Sequence, residues 1–166
     1  MGDTQTAFSF YQTLASISFT LLGLWFVVLG IGRGDWGSPA RHRERLHVAL
    51  FFFLPGTMGL ASVLGGTNPL AWRVVFVLGA VIGLVESVPF LIGHQGLPGT
   101  VERVLGVLAP LLYLLVALAA FVPGPRAGLA PLQIEGFVIA AVFLLGLTHL
   151  WRAFAETPVA VSSRPR

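Results

Sequence analysis

The chain predicts an all-α integral membrane protein, a bundle of five transmembrane helices with the N-terminus outside and the C-terminus cytoplasmic. Three observations carry that expectation. The 166 residues are 55% hydrophobic and only 10% charged, with a mean hydropathy of +0.85, whereas a soluble domain gives about a quarter of its residues to charge. The apolar residues gather into five runs, over 7–32, 46–66, 69–93, 101–122 and 131–153, each near the roughly 20 residues that cross a bilayer core. The basic residues are all arginines, placed in loops and at the ends of these runs.

The first span has no charge until Arg33. Ser9, Gln12, Thr13, Ser16 and Thr20 recur along it at helical spacing and continue into Gly23, so one face is hydroxyl, amide and glycine. The other face, with Phe8, Tyr11, Leu14, Ile17, Leu21, Leu22 and Trp25, is bulky and suited to lipid. Hydrocarbon offers polar groups no partner, so the polar face is expected against protein or water. No basic segment precedes this run and no small-residue cleavage pattern follows a short apolar core, so it reads as a retained helix.

The loop 33–45 is basic, with Arg33, Arg41, Arg43 and Arg45 close together, the mark of a cytoplasmic segment. Ser38 and Pro39 suit a helix start, and Arg41, Arg43 and Arg45 are placed to rest on anionic lipid headgroups. Pro55 at the centre of the second span predicts a kink, because it removes a backbone donor and crowds the carbonyl of Phe51. Gly65 and Gly66 end that helix, and Asn68 caps a third that opens at Pro69.

The third span contains Glu86, with apolar residues for several turns before it. An ionisable residue at that depth is a functional candidate by default. Gly79 and Gly83 permit a close helix approach, and Pro89 loosens the turn that holds Glu86. Trp72 and Arg73 anchor the opposite end. A loop containing His94 leads to Thr100, a candidate cap for the fourth span, which carries Pro110 at its centre and is stopped by Pro123 and Pro125. The fifth span has Gln133 and Glu135 at its mouth, Thr148 and His149 near its end, and Trp151 and Arg152 as anchors. Arg73 and Glu135 are expected to pair near the outer face. The tail, 154–166, is short, polar and cytoplasmic.

Orientation follows from the arginines. In the five-span arrangement eight lie inside, and only Arg73 and Arg126 lie outside, as the positive-inside tendency requires. A basic balance of +3 might elsewhere suggest nucleic acid; here it serves topology, and no nucleic-acid partner is expected. With no cysteine, disulfides and thiolate chemistry are excluded. No zinc-protease, paired intramembrane aspartate or nucleophile-elbow pattern is present, so an enzyme is not the favoured reading.

What remains is a multi-pass protein of a cell (plasma or inner) membrane, with compactness and an arginine-only basic set pointing to bacteria. The leading functional reading is a small oligomeric channel-like or transport-related protein. Glu86 would line its path together with Ser9, Gln12, Thr13, Ser16 and Thr20, where side-chain oxygens replace part of an ion's hydration. No cofactor is expected on this reading. A second reading is a redox subunit holding haem b or a metal between two of His47, His94 and His149, which stand at the ends of three spans. A third is an accessory subunit whose polar first helix docks on a partner's span.

Overall fold

A computed structural model describes residues 2–31, 39–66, 68–93, 99–126 and 128–155. Five helices, α1 (Gly2–Ile31), α2 (Pro39–Gly65), α3 (Pro69–Gly93), α4 (Thr100–Ala119) and α5 (Pro131–Ala155), make up the described chain. Residues 33–38 of the basic loop, with Arg33 and Ser38, His94, the tail from residue 156 onward and the side chains of Arg41 and Glu102 lie outside the described residues.

Four helices are long and apolar enough to cross a membrane, over Gln5–Ile31, Arg45–Gly65, Pro69–Pro89 and Pro131–Phe154. That is the pattern of a multi-pass membrane protein. The apolar part of α4, Arg103–Ala119, is shorter, so the run expected over 101–122 ends early. Phe121 and Val122 donate to Leu118 and Ala119, three residues back, as in a tightened last turn. Pro123 beyond them has no N–H with which to continue. Thr100 is the first helical residue of α4 and not its cap; Gly99 holds that position, with no side-chain bond.

The starts of α3 and α5 match their sequence. Asn68 Oδ1 accepts the Leu70 N–H at 3.0 Å, capping α3 ahead of Pro69. At α5, the Ala130 carbonyl accepts from the Gln133 and Ile134 amides, and Gln133 Oε1 accepts the Ala130 N–H at 2.8 Å. Gln133 thus supplies the returning half of a capping box. Pro55, Pro89 and Pro110 each lie inside an unbroken helix.

Helices α2 to α5 form a closed ring in chain order, α2 on α3, α3 on α4, α4 on α5 and α5 back on α2, while α1 lies outside it against α2 and α5. Glycines set the closest approaches. A Cβ on Gly146 would stand 2.6 Å from Phe51 Cβ, where α5 crosses α2. Gly79 faces the Met58 side chain of α2, and Gly83 faces the Tyr113 ring of α4. A Cβ on Gly59 would stand 2.8 Å from the Tyr11 carbonyl oxygen, so α1 seats on α2 backbone to backbone.

Helix α1 turns part of its bulky face, expected to meet lipid, into the bundle. Tyr11, Leu14, Leu22 and Trp25 are buried, whereas Ser9, Gln12, Thr13, Ser16 and Thr20 are exposed. Two effects account for this orientation. The stripe hydroxyls bond back to their own helix, Thr13 to the Ser9 carbonyl, Ser16 to Gln12 and Thr20 to Ser16, at 2.8–3.0 Å, so they present little unsatisfied polarity outward. Tyr and Trp have no such outlet and take a partner from another segment. Trp25 Nε1 donates to the Arg45 carbonyl at 3.1 Å. Trp25→Phe should therefore lower stability by about 1 kcal/mol, measured by thermal unfolding in detergent; an unchanged midpoint would mean the bond contributes nothing.

Candidate functional site

Along α5, Leu132, Glu135, Ile139, Val142, Gly146 and His149 recur in steps of three and four, placing them on one face. Leu132, Glu135, Ile139, Val142 and Gly146 are buried and His149 is half-buried. Two groups with acid–base chemistry therefore stand near opposite ends of one inward stripe. At 1.5 Å per residue they are about 21 Å apart along the helix, with Ile139 and Val142 filling the core between them.

At the Glu135 end the carboxyl has no solvent exposure, and neither oxygen has a hydrogen-bond partner among the described residues. Beside it Tyr11 of α1 reaches the same turn of α5. The Tyr11 hydroxyl donates to the Leu132 carbonyl at 2.9 Å, and its ring meets Phe76 edge-on at 5.8 Å. Gly136 makes room for this seat, since a Cβ there would stand 3.3 Å from the Phe10 ring and 3.6 Å from the Tyr11 oxygen. Tyr11→Phe should destabilise by about 1–1.5 kcal/mol through the lost bond and the carbonyl left behind. Equal unfolding midpoints for the two proteins would rule that out.

The expected Arg73–Glu135 pair does not form. Arg73 instead donates to the Val122 carbonyl at 3.0 Å, at the end of α4, and its guanidinium lies 5.3 Å from the centre of the Trp72 ring. The cause is topology: α3 packs on α2 and α4, with no contact to α5 among the described residues.

At the other end, His47 and His149 come together from α2 and α5. Their ring centres are 5.6 Å apart and nearly perpendicular. Phe51 stacks on His149 at 5.0 Å, meets His47 edge-on at 5.0 Å and stacks on Tyr113 at 6.0 Å. No group of three or more metal-ligating side chains occurs among the described residues.

Glu86 is half-buried on α3, with Ser87 beside it fully enclosed and bonded to the Gly83 carbonyl. The α1 stripe is exposed, whereas the buried face of the same helix meets α3 through Tyr11 and Phe76.

No family model, no curated protein and no solved structure matches this chain. Any chemistry has to be argued from the two stations themselves. An ionised carboxylate sealed without a partner is costly by several kcal/mol, which leaves Glu135 two comfortable states: protonated, or ionised with a cation at its oxygens. Two adjacent imidazoles offer nitrogen ligands or proton-transfer groups.

Glu135 stands near the mouth of α5 yet is wholly buried, and so is Ser18, which lies off the polar stripe. One signal was available. Tyr11, Leu14, Ser18, Leu22 and Trp25 also step by three and four, so Tyr11 and Ser18 travel with the core positions of their helix.

Proposed function

We propose that this chain is a small transport-related protein of a bacterial plasma membrane, in which Glu135 takes up and releases a proton or a small cation. The observation that carries the reading is the sealed carboxyl with both oxygens unpartnered among the described residues. A group with no structural bond to make and a large cost when charged suits a site that changes its occupancy. Its position in the second turn of α5 puts it near one end of the bundle, so a modest separation of α1 from α5 at Gly136 would admit water to it. Glu86 is a second carboxyl for the same cargo, reached separately.

The arginine distribution supports an N-terminus outside and a cytoplasmic C-terminus, with Arg41, Arg43 and Arg45 on anionic lipids. Copies meeting along the exposed face of α1 would bring Ser9, Gln12, Thr13, Ser16 and Thr20 together and supply a polar seam between protomers. Of these, Gln12 contributes the group with most unspent hydrogen-bonding capacity, since the Thr13, Ser16 and Thr20 hydroxyls already donate within the helix.

Flux through liposomes containing anionic lipid tests the reading, with an internal pH dye under an imposed potential and, separately, a sodium or potassium gradient. Wild-type flux that falls in Glu135→Gln supports it. Robust flux unchanged in both Glu135→Gln and Glu86→Gln would discard it. The exposed Gln12 amide also favours a second reading, an accessory subunit docking through α1; there the purified chain carries no flux, and Gln12→Leu prevents co-purification of one dominant membrane partner.

A further inference from the structure

The histidine pair lies far from Glu135 and takes no part in the proposed transport. Two helices that are distant in sequence deliver one imidazole each to the same level: His47 from the early part of α2 and His149 from the last turns of α5. Their positions are held firmly. Gly146, one turn before His149, brings α5 to within touching distance of Phe51, and Phe51, one turn after His47, packs against both rings.

The spacing has a chemical meaning. Two imidazoles on one tetrahedral ion, with metal–nitrogen bonds of about 2.0–2.1 Å, hold their ring centres about 5 Å apart; the pair stands at 5.6 Å, with planes 83° apart. We infer that His47 and His149 form a two-imidazole site for a divalent transition-metal ion of the zinc or copper class, joining α2 to α5 at this end of the bundle.

Imidazole suits zinc, copper and nickel, whereas magnesium and calcium prefer oxygen ligands. Among the described residues no third ligating side chain joins the pair, so water or a small anion completes the coordination. Arg45 and Arg152, two and three residues from the histidines, favour an anion as that extra ligand. A haem fits less well. The macrocycle would have to lie between the two rings, and Phe51 already packs on both.

The test uses the full-length chain purified in detergent and stripped of metal. Copper(II) is titrated in and followed by electron paramagnetic resonance, and zinc is scored by its effect on thermal unfolding. The wild type should bind one copper with nitrogen couplings from two imidazoles, and zinc should raise its unfolding midpoint. His47→Ala and His149→Ala should each weaken binding tenfold or more and abolish the zinc shift, while His42→Ala, an exposed residue on the same helix, changes neither. Circular dichroism and gel filtration establish that each variant is folded, and His47→Gln and His149→Gln, closer in size, replace any alanine variant that is not. Absence of stoichiometric binding in the wild type, or binding that survives in either folded histidine variant, overturns the site.

Discussion

On the proposed transport reading, Glu135→Gln should lower cargo flux by at least tenfold while leaving the helices and their unfolding midpoint nearly unchanged. The amide matches the carboxyl in shape, so the packing around Tyr11, Phe76 and Leu132 is retained, but it neither gains a proton nor takes a negative charge in the working range. Relative to wild type, the variant can only gain stability under conditions where the carboxyl ionises, since an uncompensated buried charge costs several kcal/mol and an amide does not incur it. Glu135→Ala would be a poorer probe, because it adds a cavity in the core worth a few kcal/mol by itself. The decisive comparison is flux at matched reconstitution density together with the midpoint in detergent. Loss of flux with an equal or higher midpoint identifies a working carboxyl. An unchanged flux with a lowered midpoint would make Glu135 a packing residue.

Gly59→Val is expected to produce the largest change in stability. The added Cβ meets the Tyr11 carbonyl oxygen at 2.8 Å and Ala15 Cβ at 3.2 Å. Neither obstacle is the tip of a flexible side chain, so α1 has to move away from α2 as a body. That displacement also pulls Tyr11 from the Leu132 carbonyl and loosens the cover over Glu135. Overpacking costs about 1–3 kcal/mol, and the lost hydrogen bond adds about 1 kcal/mol, so a total of about 3 kcal/mol is expected. Gly23→Ala and Gly106→Ala are the matched controls, since a Cβ at either position meets nothing within 4 Å; each should be neutral or gain up to about 1 kcal/mol from helix propensity. Equal midpoints for Gly59→Val and the two controls would show that α1 is not seated on α2 as described.

The two sites differ in how far they were legible. His47 and His149 stand at span ends, legible in the sequence, and topology brings them together, because α5 closes the ring against α2. Glu135 was legible as a residue near the start of α5, but neither its burial nor its neighbours were. Its pairing with Arg73 was inferred from equal depth along two spans, and depth carries no information on which spans are neighbours. Helix α1 shows a different limit. Ser, Thr and Gln at helical spacing define a polar face unambiguously, but they do not say which way it turns, since the hydroxyls satisfy themselves on their own helix. The aromatic polar atoms of Tyr11 and Trp25 needed outside acceptors, and that requirement decided the rotation.

Composition and run length by themselves determined that this is an all-helical protein with helices built to cross a membrane. Local chemistry determined several helix ends as well: Asn68 with Pro69, Gln133 with Pro131, and the proline stop after α4. These properties depend on residues near one another in sequence, so they can be read without the fold. Only the tertiary structure decided that α1 turns its aromatic face inward, that Arg73 goes to Val122, that Glu135 is sealed beside Tyr11 and that His47 stands against His149. Each of those depends on which helices are neighbours, and that is settled by the glycine-lined approaches of α1 to α2 and of α5 to α2, where backbone shape rather than residue type selects the partner.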